Sequence, residues 1–243
     1  MKLFGTLCMA GILTVSANAA TIFFDTTGQP VNGQDGIFPF SGGSCPPNCD
    51  ANGNQNLGNL YASFSTGVSA NATGFNLNDL KLNLIAGNNS DGFSVSVGLY
   101  LNGGTNIPGG LVQTLGTVAD SSLNNCVTGA GSCQGAGTVI DLSALSANLL
   151  DNTRYWIGLS TSGSALWNFE RDGTGTGTTG EFTFSDGNGQ SPDANGAYIL
   201  QVSGSDNPAV PTGGVPEPAT FVLLGSSVIA LGLFRRQMHT NPF

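Results

Sequence analysis

The sequence predicts an all-β protein, a β-sandwich of jelly-roll type, and three observations lead there. Apolar residues alternate with small or polar ones in segment after segment. Asn-Gly, Asp-Gly, Gly-Gly and Pro-Gly pairs separate those segments, and almost no stretch carries a helical period. Alternation places every second side chain on one face of a strand, and the intervening pairs tolerate the positive φ of tight turns. Many short strands between turns are the pattern of two packed antiparallel sheets.

Met1–Ala20 has Lys2 near its start, an apolar run from Leu3 to Val15, and the small-x-small signature Ala17-Asn18-Ala19. This is the pattern of a secretory signal peptide cut after Ala19 or Ala20, which also discards Cys8. Strands are expected at Ile22–Phe24 and Leu60–Phe64, with Gly28–Asn59 between them as a long irregular insertion. Leu80–Ile85 sets Leu80, Leu82 and Leu84 on one face. Phe93–Leu101 does the same with Phe93, Val95, Val97, Leu99 and Leu101. Further strands are expected at Leu111–Val118, Thr138–Leu142, Tyr155–Ser160, Ala165–Phe169, Glu181–Phe184 and Ala197–Val202. Ser143–Thr153 is the single helical candidate, about two turns with Ser143 as N-cap. Gly173–Gly180, "GTGTGTTG", is expected to be a mobile low-complexity loop.

The body spans 21–204, followed by a polar Gly/Pro-containing linker at 205–214. Ala219–Phe234 is then uncharged and mostly apolar. Its about 16 residues make a helix of roughly 24 Å, to be set against a hydrocarbon core of about 30 Å. Arg235 and Arg236 follow at once, stopping transfer and orienting that end to the cytoplasm. Residues 238–243 form a cytoplasmic tail.

Charge excludes one class of partner. The chain carries a net charge of −9, and only Lys81, Arg154 and Arg171 are basic between Ala20 and Gly214. Nucleic-acid binding needs a basic footprint to displace counterions, and this body has none. The four cysteines beyond the signal form two local groups, Cys45 with Cys49 and Cys126 with Cys133. In an exported chain they point to disulfides. Three connectivities are open, and local pairing is the simplest. Four Cys ligands on zinc are the rival reading.

Candidate chemistry is sparse. The single histidine, His239, lies beyond the apolar run, so the body holds no Ser-His-Asp or Cys-His arrangement. No catalytic residues are assigned. Glu170 and Glu181 are the only glutamates between the terminal signals, and a pair of carboxyls is what a secreted polysaccharide hydrolase requires. The plainer reading makes them solvated charges at strand ends. Calcium is the one cofactor with a candidate site, the alternating oxygens of Asp186, Asn188 and Gln190 with Asp193 beyond. Tyr155-Trp156 alternate on a strand, so one side chain faces inward and the other outward. Trp156 or Trp167 is therefore the candidate platform for a sugar ring of an exopolysaccharide. Core packing is the alternative for both.

Val215-Pro216-Glu217-Pro218-Ala219-Thr220, the apolar helix and the arginine pair, spanning 215–237, resemble the PEP-CTERM sorting domain of Gram-negative bacteria. That resemblance implies export and an inner-membrane intermediate. Recognition at Val215, Pro216, Glu217 and Pro218 by an exosortase then leads to release to the cell surface or extracellular matrix. Within Leu57–Gly204, "LYASFSTG", "IPGGLVQTLG", "LLDNTRYWIGLSTSGSALWNF" and "GAYILQVSG" resemble choice-of-anchor β-domains, the R type in particular. This second resemblance implies an extracellular module without assigned catalysis. Together they imply a non-enzymatic surface or biofilm-matrix protein, structural, adhesive or polysaccharide-associated.

Overall fold

The computed structural model describes residues 20–37, 58–87, 92–125 and 137–208. The signal segment 1–19, Cys45, Cys49, Cys126, Cys133, the sorting residues Val215–Pro218, the apolar run 219–234, Arg235 and Arg236 lie outside them.

Thirteen strands are described: β1 (Thr21–Asp25), β2 (Gly33–Ile37), β3 (Leu60–Ser65), β4 (Phe75–Ala86), β5 (Ser94–Asn102), β6 (Pro108–Ala119), β7 (Thr138–Leu142), β8 (Ala147–Leu149), β9 (Arg154–Thr161), β10 (Ala165–Phe169), β11 (Phe182–Ser185), β12 (Gly189–Pro192) and β13 (Leu200–Asp206). Helix among the described residues is confined to two 3₁₀ turns, Asp120–Ser122 and Asp193–Asn195. The strands make two antiparallel sheets. One runs β1-β13-β4-β10-β2, with β7 and β8 also on β4; the other runs β12-β11-β3-β9-β5-β6.

The long strand β4 organises the first sheet, and a phase slip lets it do so. Phe75 and Leu77 sit at odd positions, and Leu80, Leu82 and Leu84 at even ones, yet all five are buried in one core. Between them the β13 partner steps from Ser203 opposite Asp79 to Gly204 opposite Leu77. The extra residue is a bulge, which turns both halves of the strand to the same face. The facing sheet contributes Leu60, Ala62 and Phe64 of β3, Val95, Val97 and Leu99 of β5, and Tyr155, Ile157 and Leu159 of β9. Inward alternation from both sheets thus fills one layer between them.

Three segments depart from expectation. Ser143–Thr153 is not helical. Ala147 and Leu149 alternate inward as β8 and pair with Leu77 and Phe75, while Ala144 takes a positive φ of 57° that breaks any helix. Gly33–Ile37, within the expected irregular insertion, is β2, and Gly189–Pro192, within the calcium candidate, is β12. At the ends of β5's expected apolar face, Phe93 and Leu101 are exposed.

The loop 173–180, expected to be mobile, is pinned. Asp25 and Thr176 exchange both backbone hydrogen bonds at 2.9 Å, and buried Thr178 donates through Oγ1 to the Gly173 carbonyl at 2.8 Å. Gly177 has φ +76°, and a Cβ there would stand 2.0 Å from the Phe23 carbonyl oxygen. Gly180, at φ +81°, has open space instead. Gly177→Ala is expected to cost about 1–3 kcal/mol, from combined clash and backbone strain. Gly180→Ala, which incurs the strain alone, is expected to cost less. Urea unfolding midpoints at unchanged m-value measure both.

Candidate functional site

The polar chemistry of the body gathers where the start of β11 meets β3 and β9. Ser63 and Ser65 on β3 stand opposite Trp156 and Arg154 on β9. Glu181 enters just before β11 and accepts hydrogen bonds from both serine hydroxyls and from Arg154 Nε, the last at 3.0 Å. Ser63 Oγ in turn accepts the Phe182 N–H at 2.8 Å. Arg154 also donates to Asn106 Oδ1 and, at 2.6 Å, to the Gly180 carbonyl, and its guanidinium lies 5.1 Å from the Phe182 ring centre. Glu181 is only 4% exposed, so this is a largely buried ion pair with its remaining valences filled.

Glu170, at the end of β10, is fully buried. Its carboxylate accepts from the backbone N–H groups of Asp172 (2.6 Å), Gly173 (2.9 Å) and Ala197 (2.8 Å). Burial raises its carboxyl above the usual range, and these donors pull it back. Neither glutamate is the solvated strand-end charge that the sequence led one to expect. Both are buried, and both are spent on holding loops.

Asp193 completes the group from the 3₁₀ turn after β12. Its backbone N–H donates to the Glu181 carbonyl at 3.0 Å, its side chain is fully buried, and neither carboxyl oxygen has a hydrogen-bond partner. Burial is the main force that pushes this carboxyl up to about 8, and the nearby charges of Glu181 and Glu170 add to it. Arg154 opposes them. A buried carboxyl beside two carboxylates and one guanidinium retains its proton at neutral pH.

The calcium candidate does not converge. Asp186 and Asn188 lie in the β11–β12 turn, where Asp186 Oδ2 accepts the Asn59 N–H at 3.3 Å. The Gln190 amide nitrogen, in the orientation that satisfies both its polar atoms, donates to the Thr105 and Asn106 carbonyls at 3.0 Å. Asp193 is buried beyond the far end of β12, about 13 Å of strand away from the turn. Among the described residues, no group of three or more His, Cys, Asp or Glu side chains is placed to hold a metal ion.

The tryptophan platform is corrected by burial. Trp156 does face away from the core, opposite to Tyr155, but it is fully covered. Its Nε1 donates to Asn102 Oδ1 at 3.1 Å, and its ring meets Phe184 edge-on at 6.4 Å. Trp167 is also fully buried and stacks on Tyr198 at 4.3 Å and 10°. Neither offers a face to a sugar. The outer layer around Trp156 is tyrosine instead: Tyr61 and Tyr100 meet edge-to-face at 5.3 Å over Gly158, where a Cβ would stand within 2.6 Å of both rings. Burial, reinforced by Asp186, pushes the Tyr61 hydroxyl up to about 12.

A second polar feature has no counterpart in the sequence reading. A cleft of ≈ 190 Å³ is lined by Asp35, Phe169, Thr183, Ser191, Gly196 and Tyr198, and it adjoins a smaller hollow of ≈ 140 Å³ toward the β11–β12 turn. Asp35 Oδ2 accepts the Tyr198 hydroxyl at 2.7 Å, and burial raises the Asp35 carboxyl despite that bond. Asp35 was missed because its strand, Gly33-Gln34-Asp35-Gly36-Ile37, shows no alternating apolar signal.

Two outcomes follow from the buried group. Arg154→Ala leaves Glu181 buried without its cation and is expected to cost about 3–5 kcal/mol in chemical denaturation. Asp193→Asn has a pH signature. The native Asp193 keeps its proton up to about pH 8, whereas the unfolded side chain releases it near pH 4. Its contribution is therefore fully present below about pH 4 and is lost as pH rises through about 8. The Asn variant should match the wild type in acid and exceed it increasingly toward pH 8, as read from paired melting curves.

Comparison with known proteins places one segment. The family model of the PEP-CTERM protein-sorting motif matches residues 214–237. No curated protein matches the chain. Among solved structures, the chain is similar to the cysteine protease and lectin-like domains of Cwp84, a surface layer associated protein of Clostridium difficile, at 9% identity and a TM-score of 0.38. That alignment covers 61% of this chain and 32% of that one, so the chain spans about a third of its length, and the likeness carries no argument. The recognisable sequence identity is thus C-terminal: residues 214–237 carry a PEP-CTERM protein-sorting motif.

Proposed function

We propose that this protein is exported, sorted by an exosortase, and displayed on the cell surface or in the extracellular matrix of a Gram-negative bacterium, where it acts without catalysis as a structural, adhesive or polysaccharide-associated component. The observation that carries this reading is the sorting motif at residues 214–237. Val215-Pro216-Glu217-Pro218 would be the recognition sequence. The apolar run 219–234 would hold an inner-membrane intermediate, and Arg235 and Arg236 would keep its end in the cytoplasm. Residues 21–204 would be the displayed domain, in keeping with their resemblance to choice-of-anchor modules, and the cysteine pairs would form disulfides in that oxidising setting.

The chemistry of the body supports a non-catalytic role. Glu170 and Glu181, the pair that a hydrolase would need, are saturated by three backbone N–H groups in one case and by two serines and an arginine in the other. A general acid and a nucleophile both need access to the glycosidic bond, and these carboxylates are buried.

Mass spectrometry of the protein recovered separately from membranes and from extracellular matrix tests the sorting route. A matrix form beginning near Ala20 and ending near Pro216–Pro218 is expected. An intact tail through Phe243, found only in membranes, would instead describe a plainly anchored ectodomain. Purified protein is expected to release no reducing ends from the native exopolymer. Release abolished by Glu170→Gln or Glu181→Gln would overturn the non-catalytic reading.

A further inference from the structure

We infer that the cleft beside Asp35 binds a single sugar residue, uncharged or amino-bearing, of an extracellular polysaccharide. This rests on the polysaccharide-associated reading above and gives it a site. The cleft is built on strands. Asp35 of β2 stands opposite Trp167 of β10, Phe169 bridges to Tyr198, and Tyr198 is fixed between the Trp167 ring and the Asp35 carboxylate. Side chains locked in this way present their polar atoms at a fixed geometry, which is what recognition of a small ligand needs.

The chemistry of the lining selects the ligand class. Asp35 Oδ2 is taken by the Tyr198 hydroxyl, while among the described residues Oδ1 accepts no hydrogen bond. It is a charged acceptor at the cleft wall that calls for an O–H or N–H donor. Thr183 and Ser191 add short polar side chains, and Phe169 adds one aromatic wall. A carboxylate acceptor with hydroxyls and an aromatic ring matches vicinal hydroxyls on a ring whose C–H face is apolar. At ≈ 190 Å³ the cleft is smaller than the roughly 300–1,000 Å³ of drug-sized sites and suits one ring. The carboxylate repels uronic acids, and a lone carboxylate is too few ligands for a cation. The adjoining ≈ 140 Å³ hollow shares Asp35, Thr183, Ser191 and Tyr198, so the chain of a polymer has room to leave the first subsite.

The test uses the full-length protein in detergent, passed over beads coupled separately to glucose, galactose, N-acetylglucosamine, glucosamine and glucuronic acid. Retention on at least one of the first four, and none on glucuronic acid, is expected. Asp35→Asn removes the charged acceptor and should weaken retention about tenfold or more. Ser191→Phe, at a half-buried position on edge strand β12, fills the cleft and should abolish it. Melting curves establish that each variant is folded, and Ser191→Phe decides the matter alone if Asp35→Asn is not. No retention on any of the four sugars, preference for glucuronic acid, or retention that survives either substitution in a folded protein overturns the site. Such a failure leaves the sorting route standing, because that route is read from the chain termini of the matrix form, and an intact membrane-held tail leaves the bead assay unaffected.

Discussion

Arg154 and Glu181 form the contact on which the second sheet and its loops depend. In a body with three basic residues, one guanidinium joins the start of β9 to the segment before β11, the carbonyl of Gly180 and the loop between β5 and β6. Serines on β3 occupy the rest of the Glu181 carboxylate. The geometry is expensive to desolvate and fully compensated only while every member is present. It also sets the state of its neighbour. Burial drives Asp193 toward its neutral form, and the nearby Glu181 and Glu170 carboxylates add to that push against the single opposing guanidinium of Arg154.

Buried acids elsewhere serve the same end by a different route. Glu170 has no ion-pair partner among the described residues; backbone N–H groups supply the positive ends that stabilise it, and in return it fixes the chain at Asp172, Gly173 and Ala197. Thr178 and the Asp25–Thr176 bridge then tie down the rest of the glycine-threonine loop. A segment with almost no apolar side chain is thereby ordered through its backbone, which is the resource a Gly/Thr sequence has to offer.

The strands with an apolar face were legible because alternation reports burial. Leu80, Leu82 and Leu84, the central β5 residues Val95, Val97 and Leu99, and the β9 run are where the pattern puts them, whereas Phe93 and Leu101 at the ends of the β5 run are exposed. The bulge in β4 was visible only as a change of phase between Leu77 and Leu80, which requires knowing that both halves face one core. β2 and β12 were illegible, since Gly33–Gly36 and Gly189–Pro192 carry no alternating apolar side chains and pair through backbone groups. Side-chain identity misled in two directions. Glutamate normally marks a solvated position, yet Glu170 accepts from the Ala197 N–H, 27 residues on, and Glu181 from the hydroxyls of Ser63 and Ser65, 118 and 116 residues back. An outward-facing Trp156 normally marks a surface, yet Phe184 and Asn102 lie against it and it is fully buried. Such long-range covering leaves no local trace in sequence.

The stapled loop also bears on survival outside the cell. A protease of trypsin-like preference must find an extended peptide bond after lysine or arginine, and the body offers three. Lys81 is in the middle of β4, hydrogen-bonded to strands on both sides, and Arg154 opens β9. Arg171 alone is exposed on a loop, and there the N–H on the far side of its scissile bond, that of Asp172, is already held by Glu170. Local opening of the chain exposes each of these bonds further, so digestion would track the population of the locally opened fold.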